Sequence, residues 1–283
     1  MTKAGNDSYY RVMTNASTSA VLNYLIPTGE RPIYIESQGG ADAALKIGAE
    51  FEEKRVTIGN ARQLTSSATL DVQGFELVEH RTRVSDFYEL SAVQDQYEAE
   101  IMALVLSATG ASDALVFDHT LRSDSPDVRG QRSTRETASV IHNDYTDASA
   151  RQRLIDLVGE ELAETRLQRR FAIINVWRSI RGTVFTSPLA CCDASSLSPQ
   201  DLVASERRAK ERIGELELVS FNPEHRWYYF PEMTFTEALL LKTYDSSLAG
   251  HARCAIHSAF KNPLAPAGAP PRESLESRLL VFY

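Results

Sequence analysis

Short apolar runs separated by glycine, proline and asparagine make up most of the hydrophobic pattern of this chain. Runs of this kind are typical of β-strands joined by turns. They occur between residues 21 and 78, where Gly39 and Gly40 mark a turn, and they are dense in the last third of the sequence. There the pattern predicts strands over residues 216–221, 226–230, 238–244, 252–257 and 275–283.

Two longer segments have a helical period. Apolar residues recur every three or four positions over residues 87–108, with Ser85 as a cap and Gly110 as a stop, and again over residues 149–169. A third, short helix is predicted over residues 198–212, with Ser198 as its cap and Pro199 in its first turn. Residues 113–118 and 171–178 predict buried strands, the second covered on both faces, and residues 122–136 predict a long surface loop.

This order of elements predicts a mainly β (α+β) fold. We expect a double-stranded β-helix, a cupin-like jelly roll, with helices packed on its outside. At 283 residues a single domain is the expectation. Residues 1–110 would supply strands and a helix that pack on the core, and residues 111–283 would form the jelly-roll core that carries the candidate functional residues.

The charge balance favours small-molecule ligands. A formal net charge of -8 provides no basic surface for nucleic acid or for an anionic membrane. The amino terminus is polar, and nowhere does the sequence hold the roughly twenty apolar residues that a membrane span needs. These features predict a cytoplasmic protein with reduced, buried cysteines, and they leave a homodimer open.

The segment around residues 140–146 carries the first sign of metal chemistry. His142 and Asp144 stand two residues apart in a strand-like run, so both side chains can point to the same face. Two histidines and one carboxylate on one side of an octahedral ion form the ligand set of non-haem Fe(II) oxygenases. The sequence therefore predicts an enzyme with His142 and Asp144 as catalytic metal ligands. A hydrogen-bonded core histidine is the alternative for His142.

The third ligand has three candidates: His225, His251 and His257. His225 precedes an aromatic run and is expected in a turn, and His251 follows a glycine and is expected in a loop. We favour His257 because it ends an apolar strand near the carboxyl terminus. Arg272 and Arg278 follow it, and one of them could bind the far carboxylate of an oxoacid cosubstrate through a bidentate guanidinium fork.

Four further residues are candidate substrate contacts. Trp177 and Arg178 end the apolar strand at residues 171–178, where a strand mouth is expected. Tyr145 and Tyr244 could line the pocket, although aromatic side chains more often belong to the core.

Seven motifs together carry a family resemblance. They are His-x-Asp-x-Thr (142–146), Asn-Val-Trp-Arg (175–178), Pro-Leu-Ala-x-Cys-Asp (188–193), His-Arg-Trp-Tyr-Tyr-Phe-Pro-Glu-Met (225–233), Tyr-Asp-Ser (244–246), His-Ser-Ala-Phe (257–260) and Pro-Arg-Glu-Ser-x-Glu-x-Arg (271–278). From Arg55 onward the chain resembles the natural-product hydroxylases and desaturases that include cephem methoxylase components and fungal gibberellin desaturases.

The resemblance implies a double-stranded β-helix that binds Fe(II) and 2-oxoglutarate. It implies His142, Asp144 and His257 as the iron ligands and Arg272, assisted by Arg278, on the cosubstrate. With O2 as the oxidant, an unactivated C–H bond of a small-molecule intermediate would be hydroxylated, desaturated or closed into a ring.

Two other classes use parts of the same pattern. A metal-dependent hydrolase would share the three ligands but would need a general base, for which Glu224 and Glu232 are candidates. A non-catalytic jelly-roll binding protein would use the histidines structurally.

Overall fold

A computed structural model of the chain describes residues 15–35, 39–40, 46–209 and 213–283. Fifteen strands are described in this part of the chain. They are β1 (Ser17–Ile26), β2 (Ile33–Ile35), β3 (Lys46–Gly48), β4 (Glu50–Asn60), β5 (Phe75–Glu79), β6 (Asp113–Ser123), β7 (His142–Asn143), β8 (Phe171–Ser179), β9 (Leu189–Cys192), β10 (Leu202–Arg208), β11 (Ile213–Val219), β12 (Trp227–Tyr229), β13 (Glu237–Asp245), β14 (His257–Ala259) and β15 (Glu273–Phe282).

The helices alternate with the strands along the chain. They are α1 (Leu90–Ala92), a π turn (Val93–Tyr97), α2 (Glu98–Thr109), α3 (Pro126–Arg132), α4 (Asp147–Val158) and α5 (Glu160–Arg166). Three short 3-10 turns cover Ala61–Gln63, Ala194–Ser196 and Pro199–Asp201.

Two sheets contain all the named strands. The larger one has the order β1-β4-β12-β9-β14-β7-β11-β10-β2-β3, and the smaller one has the order β5-β13-β8-β15-β6. Leu239 and Leu241 of the smaller sheet share a core cluster with Leu189, Cys191 and Ala259 of the larger sheet. The sheets therefore face each other, and the prediction of a mainly β double sheet with flanking helices is confirmed.

Strand β8 lies at the centre of the smaller sheet, and all nine of its residues are buried. Ala172, Ile174 and Val176 pack with Tyr97 and Ile101 of the helical segment on the outer face. Residues of the other parity point inward, because successive side chains of a strand alternate between its faces. The prediction that this strand is covered on both faces is confirmed.

Helices α4 and α5 pack against one end of the smaller sheet. Their residues Ala150, Leu154 and Ala163 pack against Phe171 and Leu280 of the smaller sheet. The side chain of Thr146 caps α4 by accepting from the backbone N–H of Ser149. Gly159 ends α4, so the helix predicted over residues 149–169 is two helices with a break.

Other boundaries differ from those that the sequence predicts. The helix predicted over residues 87–108 begins at Leu90 and contains the π turn, although Gly110 ends it as predicted. The loop predicted over residues 122–136 contains the end of β6 and the whole of α3. The amino-terminal residues 1–14 lie outside the described part of the chain, and the single-domain expectation stays a prediction.

The helix predicted over residues 198–212 is wrong. Ser198 and Pro199 begin only a 3-10 turn, and residues 202–208 then form β10. This strand pairs with β11 along its whole length and with β2 on its other side. Pairing with two neighbours outweighs the local helix signal, and residues 210–212 lie outside the described residues.

Gly74 supports the segment that leads to His257. Its φ is +84°, and a Cβ there would lie 3.1 Å from the carbonyl oxygen of Cys254 and 3.3 Å from the Cβ of Ala255. Gly110 also has a positive φ, +67°, but a Cβ there would meet nothing within 4 Å. The two positions share the left-handed backbone and differ in the space around it.

We expect Gly74→Ala to lower the free energy of unfolding more than Gly110→Ala. Both variants pay for the left-handed backbone, about 1–2 kcal/mol, and only Gly74→Ala must also displace residues 254–255. Urea denaturation of the two variants measures the difference. Equal losses would show that the crowding at Gly74 has no energetic consequence.

Candidate active site

His142 and His257 come together because their strands are neighbours. β14 pairs with β7 in antiparallel fashion, and His257 lies directly opposite His142 in the register. The centroids of the two imidazole rings are 4.6 Å apart, and both side chains are buried. The structure thus brings together the two histidines that the sequence analysis singled out from positions more than a hundred residues apart.

Each histidine is oriented by the backbone of its own strand. The Nδ1 of His142 lies 2.8 Å from the carbonyl oxygen of Val140, and the Nδ1 of His257 lies 2.9 Å from that of Ala255. A carbonyl can only accept, so Nδ1 carries a proton in both rings and Nε2 is the nitrogen left for a metal ion. Burial, followed by the neighbouring His257, lowers the pKa of His142 to about 4. His142 is therefore neutral at pH 7, as a metal ligand must be.

Asp144 lies just beyond β7, next to His142. Its Oδ1 is 3.8 Å from the Nε2 of His142. Its Oδ2 accepts hydrogen bonds from the Nδ2 of Asn175, at 2.7 Å, and from the Nε of Arg278, at 3.0 Å. Burial alone would raise the pKa of Asp144, but the guanidinium of Arg278 holds it well below its usual range. The carboxylate is ionised.

The spacing of the three predicted ligands is close to that which a metal ion requires. Among the described residues, no three His, Cys, Asp or Glu side chains already stand at metal-binding distances from one point. Two adjacent ligands at about 2.1 Å from one ion lie roughly 3.0 Å apart. His142 Nε2 and Asp144 Oδ1, at 3.8 Å, need only a small approach to reach that spacing. With two imidazoles that each donate through Nδ1 to a backbone carbonyl and an ionised carboxylate beside them, the set fits a divalent ion.

The guanidinium of Arg278 forms ion pairs with three carboxylates. Besides Asp144, its guanidinium donates to Asp118 Oδ2 at 2.5 Å, to Glu276 Oε2 at 2.9 Å and to Thr120 Oγ1 at 3.1 Å. Burial would lower the pKa of Arg278, but these carboxylates raise it well above its usual value. This arginine already has its ionic partners within the protein.

Arg272 has the opposite environment. It is 2% exposed, and in the described part of the chain no carboxylate forms an ion pair with its guanidinium. Nη1 donates to the carbonyl oxygen of Ser187, Nε has no hydrogen-bond partner, and the group lies over the Trp177 ring, 5.2 Å from its centroid. Burial, followed by the positive charge of Arg122, lowers the pKa of Arg272 to about 10. A buried cation that forms no ion pair is unfavourable, and an anion bound beside it would remove that cost.

Arg178 lies on the outer face of β8, away from the predicted metal ligands. Its guanidinium packs over the rings of Phe87, Tyr97 and Phe235, with centroids 5.2–5.6 Å away, and donates to the carbonyl oxygens of His80 and Phe235. This is the outer, helix-covered face. The structure does not bring Arg178 to the metal residues, because Trp177 takes the inward position of this pair.

The two tyrosines pack under the helices. Tyr145 and Tyr244 belong to the cluster that includes Leu154 and Phe171. The hydroxyl of Tyr244 donates to Asp147 Oδ1 at 2.6 Å, at the start of α4. Tyr244 therefore has a structural partner, and Tyr145, adjacent to Asp144 in sequence, is the one of the two that lies nearer the predicted ligands.

A narrow cavity of about 10 Å³ opens beside His142 and Asp144, two of the predicted metal ligands. Its walls are rich in arginine, which the sequence analysis did not predict. The lining residues include His142, Asp144, Arg278, Arg122, Arg135 and Arg207, whereas Arg272 and His257 are not among them.

The rejected candidates lie elsewhere. His225 is bonded to Asp201 Oδ2 at 3.0 Å and to the Tyr24 hydroxyl at 3.1 Å, and His251 lies 3.5 Å from Asp71. Neither Glu224 nor Glu232 lines the cavity next to His142, so neither is placed to serve as a hydrolytic base.

Asn175 and Glu276 are the residues that sequence reasoning missed. A visible signal for Asn175 is its position as the one amide in the apolar run Phe-Ala-Ile-Ile-Asn-Val-Trp. A polar side chain inside a strand covered on both faces must have buried partners. Glu276 gives a weaker signal, since the same segment also contains the charged residues Arg272, Glu273 and Arg278.

The chain matches the family described as "Oxidoreductase/YMDC permease-like domain" over residues 22–282. It is 34% identical over 256 residues to the hydroxylase/desaturase efuI of Hormonema carpetanum, covering 83% of this chain and 85% of that protein. It is 34% identical over 245 residues to the Fe(II)/2-oxoglutarate-dependent dioxygenase nvfI of Aspergillus novofumigatus, covering 81% and 83%. The solved structure of the iron and alpha-ketoglutarate-dependent endoperoxidase NvfI superposes with a TM-score of 0.82 at 28% identity, covering 94% of this chain and 98% of that one.

A double sheet with two histidines and a carboxylate side by side is the arrangement expected of a non-haem Fe(II) oxygenase. The chain belongs to the family of Fe(II)/2-oxoglutarate-dependent hydroxylases and desaturases represented by these relatives. The family resemblance, the jelly-roll fold and the oxidoreductase class predicted from the sequence are thereby confirmed. None of the helices in the described residues is long and apolar enough to cross a bilayer.

Proposed function

We propose that this chain uses Fe(II), 2-oxoglutarate and O2 to oxidise an unactivated C–H bond of a small-molecule natural-product intermediate. The outcome would be hydroxylation, desaturation or oxidative ring formation. The observation that carries the proposal is the cross-strand pair of buried histidines, His142 and His257, with the carboxylate of Asp144 beside them. Family membership supports the choice of metal and cosubstrate.

His142, Asp144 and His257 would hold the iron. When bound, the iron and 2-oxoglutarate would activate O2 to an oxidant able to take hydrogen from an unactivated C–H bond, and the protein would supply position and exclusion of water. The backbone carbonyls of Val140 and Ala255 fix both imidazoles, so the ligands need little reorganisation on binding. The negative charge of Asp144 favours a cation at this point.

Arg272 is the better of the two candidates for the far carboxylate of 2-oxoglutarate. Its guanidinium is buried and has no carboxylate partner in the described residues, whereas Arg278 already pairs with three carboxylates. An arginine fork binds a carboxylate with two parallel hydrogen bonds. The face of the Trp177 ring would stabilise the Arg272 guanidinium by a cation–π interaction. Tyr145 and Trp177 remain the proposed aromatic walls of the substrate pocket.

The proposed partners are small molecules only. The net charge of -8 argues against nucleic acid and anionic membranes, so we propose that the enzyme works in the cytosol without either.

Anaerobic titration tests the proposed cofactors. We expect a weak visible charge-transfer band when both Fe(II) and 2-oxoglutarate have been added to the protein, and no band with either one alone. A hydrolase on the same ligands would instead cleave its substrate with metal alone and would give no such band. A protein that binds iron tightly but shows no band with 2-oxoglutarate would contradict the proposal.

A further inference from the structure

Three buried side chains around Asp144 form one hydrogen-bonded unit. We propose that Asn175 and Arg278, joined through Glu276, are positioning residues that hold Oδ2 of Asp144 and so present only Oδ1 to the metal. The inference rests on the proposed function, because it concerns the carboxylate ligand of the same site. Its geometry comes from three hydrogen-bonded contacts that converge from two adjacent strands.

Asn175 has no freedom to turn. It lies on β8, directly opposite Arg278 of β15, and neither residue is more than 2% exposed. Its Nδ2 donates to Asp144 Oδ2 at 2.7 Å and to Glu276 Oε1 at 2.6 Å, and its Oδ1 accepts from the Thr243 hydroxyl at 3.3 Å. Both amide hydrogens are used, since an amide nitrogen has two to donate.

Arg278 holds the same oxygen of Asp144 from the other side. Its Nε donates to Asp144 Oδ2, and its Nη2 donates to Glu276 Oε2 at 2.9 Å. Glu276 therefore uses one oxygen for Asn175 and the other for Arg278, which fixes the two donors relative to each other. Glu276 and Asp144 both form ion pairs with this guanidinium.

This arrangement matters for the number of positions around the ion. An octahedral ion has six positions, and a facial set of three ligands leaves three of them without a protein atom. A carboxylate that bound through both oxygens would occupy one of those three. With Oδ2 occupied by two donors, Asp144 binds through Oδ1 alone, the oxygen that faces His142 at 3.8 Å.

The test is the affinity of the protein for Mn(II), measured by calorimetry without substrate or turnover. We expect Asn175→Ala to weaken Mn(II) binding roughly 10- to 100-fold, the usual effect of removing a hydrogen-bond partner of a metal ligand. Ser277→Ala is the matched control. Ser277 is a buried neighbour of Arg278 that bonds His119 instead of the metal residues, and its removal should leave Mn(II) affinity unchanged.

A double-mutant cycle separates positioning from a general effect on the fold. If Asn175 acts through Asp144, Asn175→Ala should not weaken Mn(II) binding further once Asp144→Ala is present, whereas a structural effect would add. Additive losses, or unchanged affinity in Asn175→Ala, would overturn the inference. The visible spectrum of Co(II)-loaded Asn175→Ala should also differ from that of the unaltered protein, and an identical spectrum would count against it.

Thr243→Val provides a second route if Asn175→Ala fails to fold. It removes the Thr243 hydroxyl, which lies 3.3 Å from Asn175 Oδ1 and 3.3 Å from the carbonyl oxygen of Ile173. We expect a several-fold weaker Mn(II) affinity, and no change would overturn the inference. The outcomes also distinguish this inference from the proposed function. Unchanged metal binding in Asp144→Ala would remove Asp144 from the site, whereas loss in Asp144→Ala with none in Asn175→Ala would defeat the positioning role alone.

Discussion

Asp144→Ala is expected to abolish O2-dependent formation of succinate while the fold persists. Removing hydrogen-bond partners of a metal ligand already costs 10- to 100-fold, so loss of the ligand itself should reduce turnover by at least about 100-fold. The fold should survive because Arg278 keeps Asp118 and Glu276 as ionic partners when the Asp144 carboxylate is removed. Succinate release measures activity, and circular dichroism and thermal melting measure the fold.

Asp201→Asn is the matched control for this experiment. Asp201 is also a buried aspartate beside a histidine, with its Oδ2 3.0 Å from the Nε2 of His225, but it lies outside the proposed site. Its variant should be less stable and still form succinate. Wild-type turnover in Asp144→Ala would exclude Asp144 as a ligand.

Arg272→Ala is expected to weaken 2-oxoglutarate binding far more than iron binding. Truncating one member of a buried, hydrogen-bonded charge pair costs about 2–5 kcal/mol, which corresponds to roughly 30-fold or more in the dissociation constant. Iron affinity should change little, because the three proposed ligands keep their own hydrogen bonds. Anaerobic titration of the charge-transfer band gives the 2-oxoglutarate affinity, and calorimetry with Mn(II) gives the metal affinity.

Arg178→Met is the matched control, since Arg178 is equally buried and also stacks on aromatic rings, but on the outer face of β8. It should lose stability and keep its 2-oxoglutarate affinity. If Arg278→Ala alone weakened 2-oxoglutarate binding and Arg272→Ala did not, the assignment between the two arginines would be reversed.

We also expect a substitution at Arg272 to have an unusual effect on the free energy of unfolding. Without cosubstrate, the buried guanidinium of Arg272 has no carboxylate partner in the described residues. A buried charge that forms no ion pair carries a desolvation penalty, which an apolar side chain of similar length avoids. We therefore expect Arg272→Met to unfold at the same or a higher urea concentration than the unaltered protein, even though it no longer binds 2-oxoglutarate. A large loss of stability would indicate a structural role for Arg272.

The sequence alone was sufficient for the fold class and for the three proposed ligands. Strand spacing indicates that His142 and Asp144 share a face, and the position of His257 at the end of an apolar run favours it over His225 and His251. The run at residues 171–178 is so apolar that a central strand was the natural prediction, and β8 is that strand. Each of these signals is local, so a single sequence can show it.

Only the tertiary structure determined which face of each strand points into the space between the sheets. It also determined which residues contact that face. Adjacent residues of a strand point to opposite faces, so only one of Trp177 and Arg178 could enter the site, and the packing of the helical segment on the outer face determined which. Arg272 and Arg278 look equivalent in sequence, but carboxylates from β6 and from the end of β7 reach only Arg278. Strand pairing likewise turned a predicted helix into β10. These outcomes depend on contacts between residues far apart along the chain, which no local pattern records.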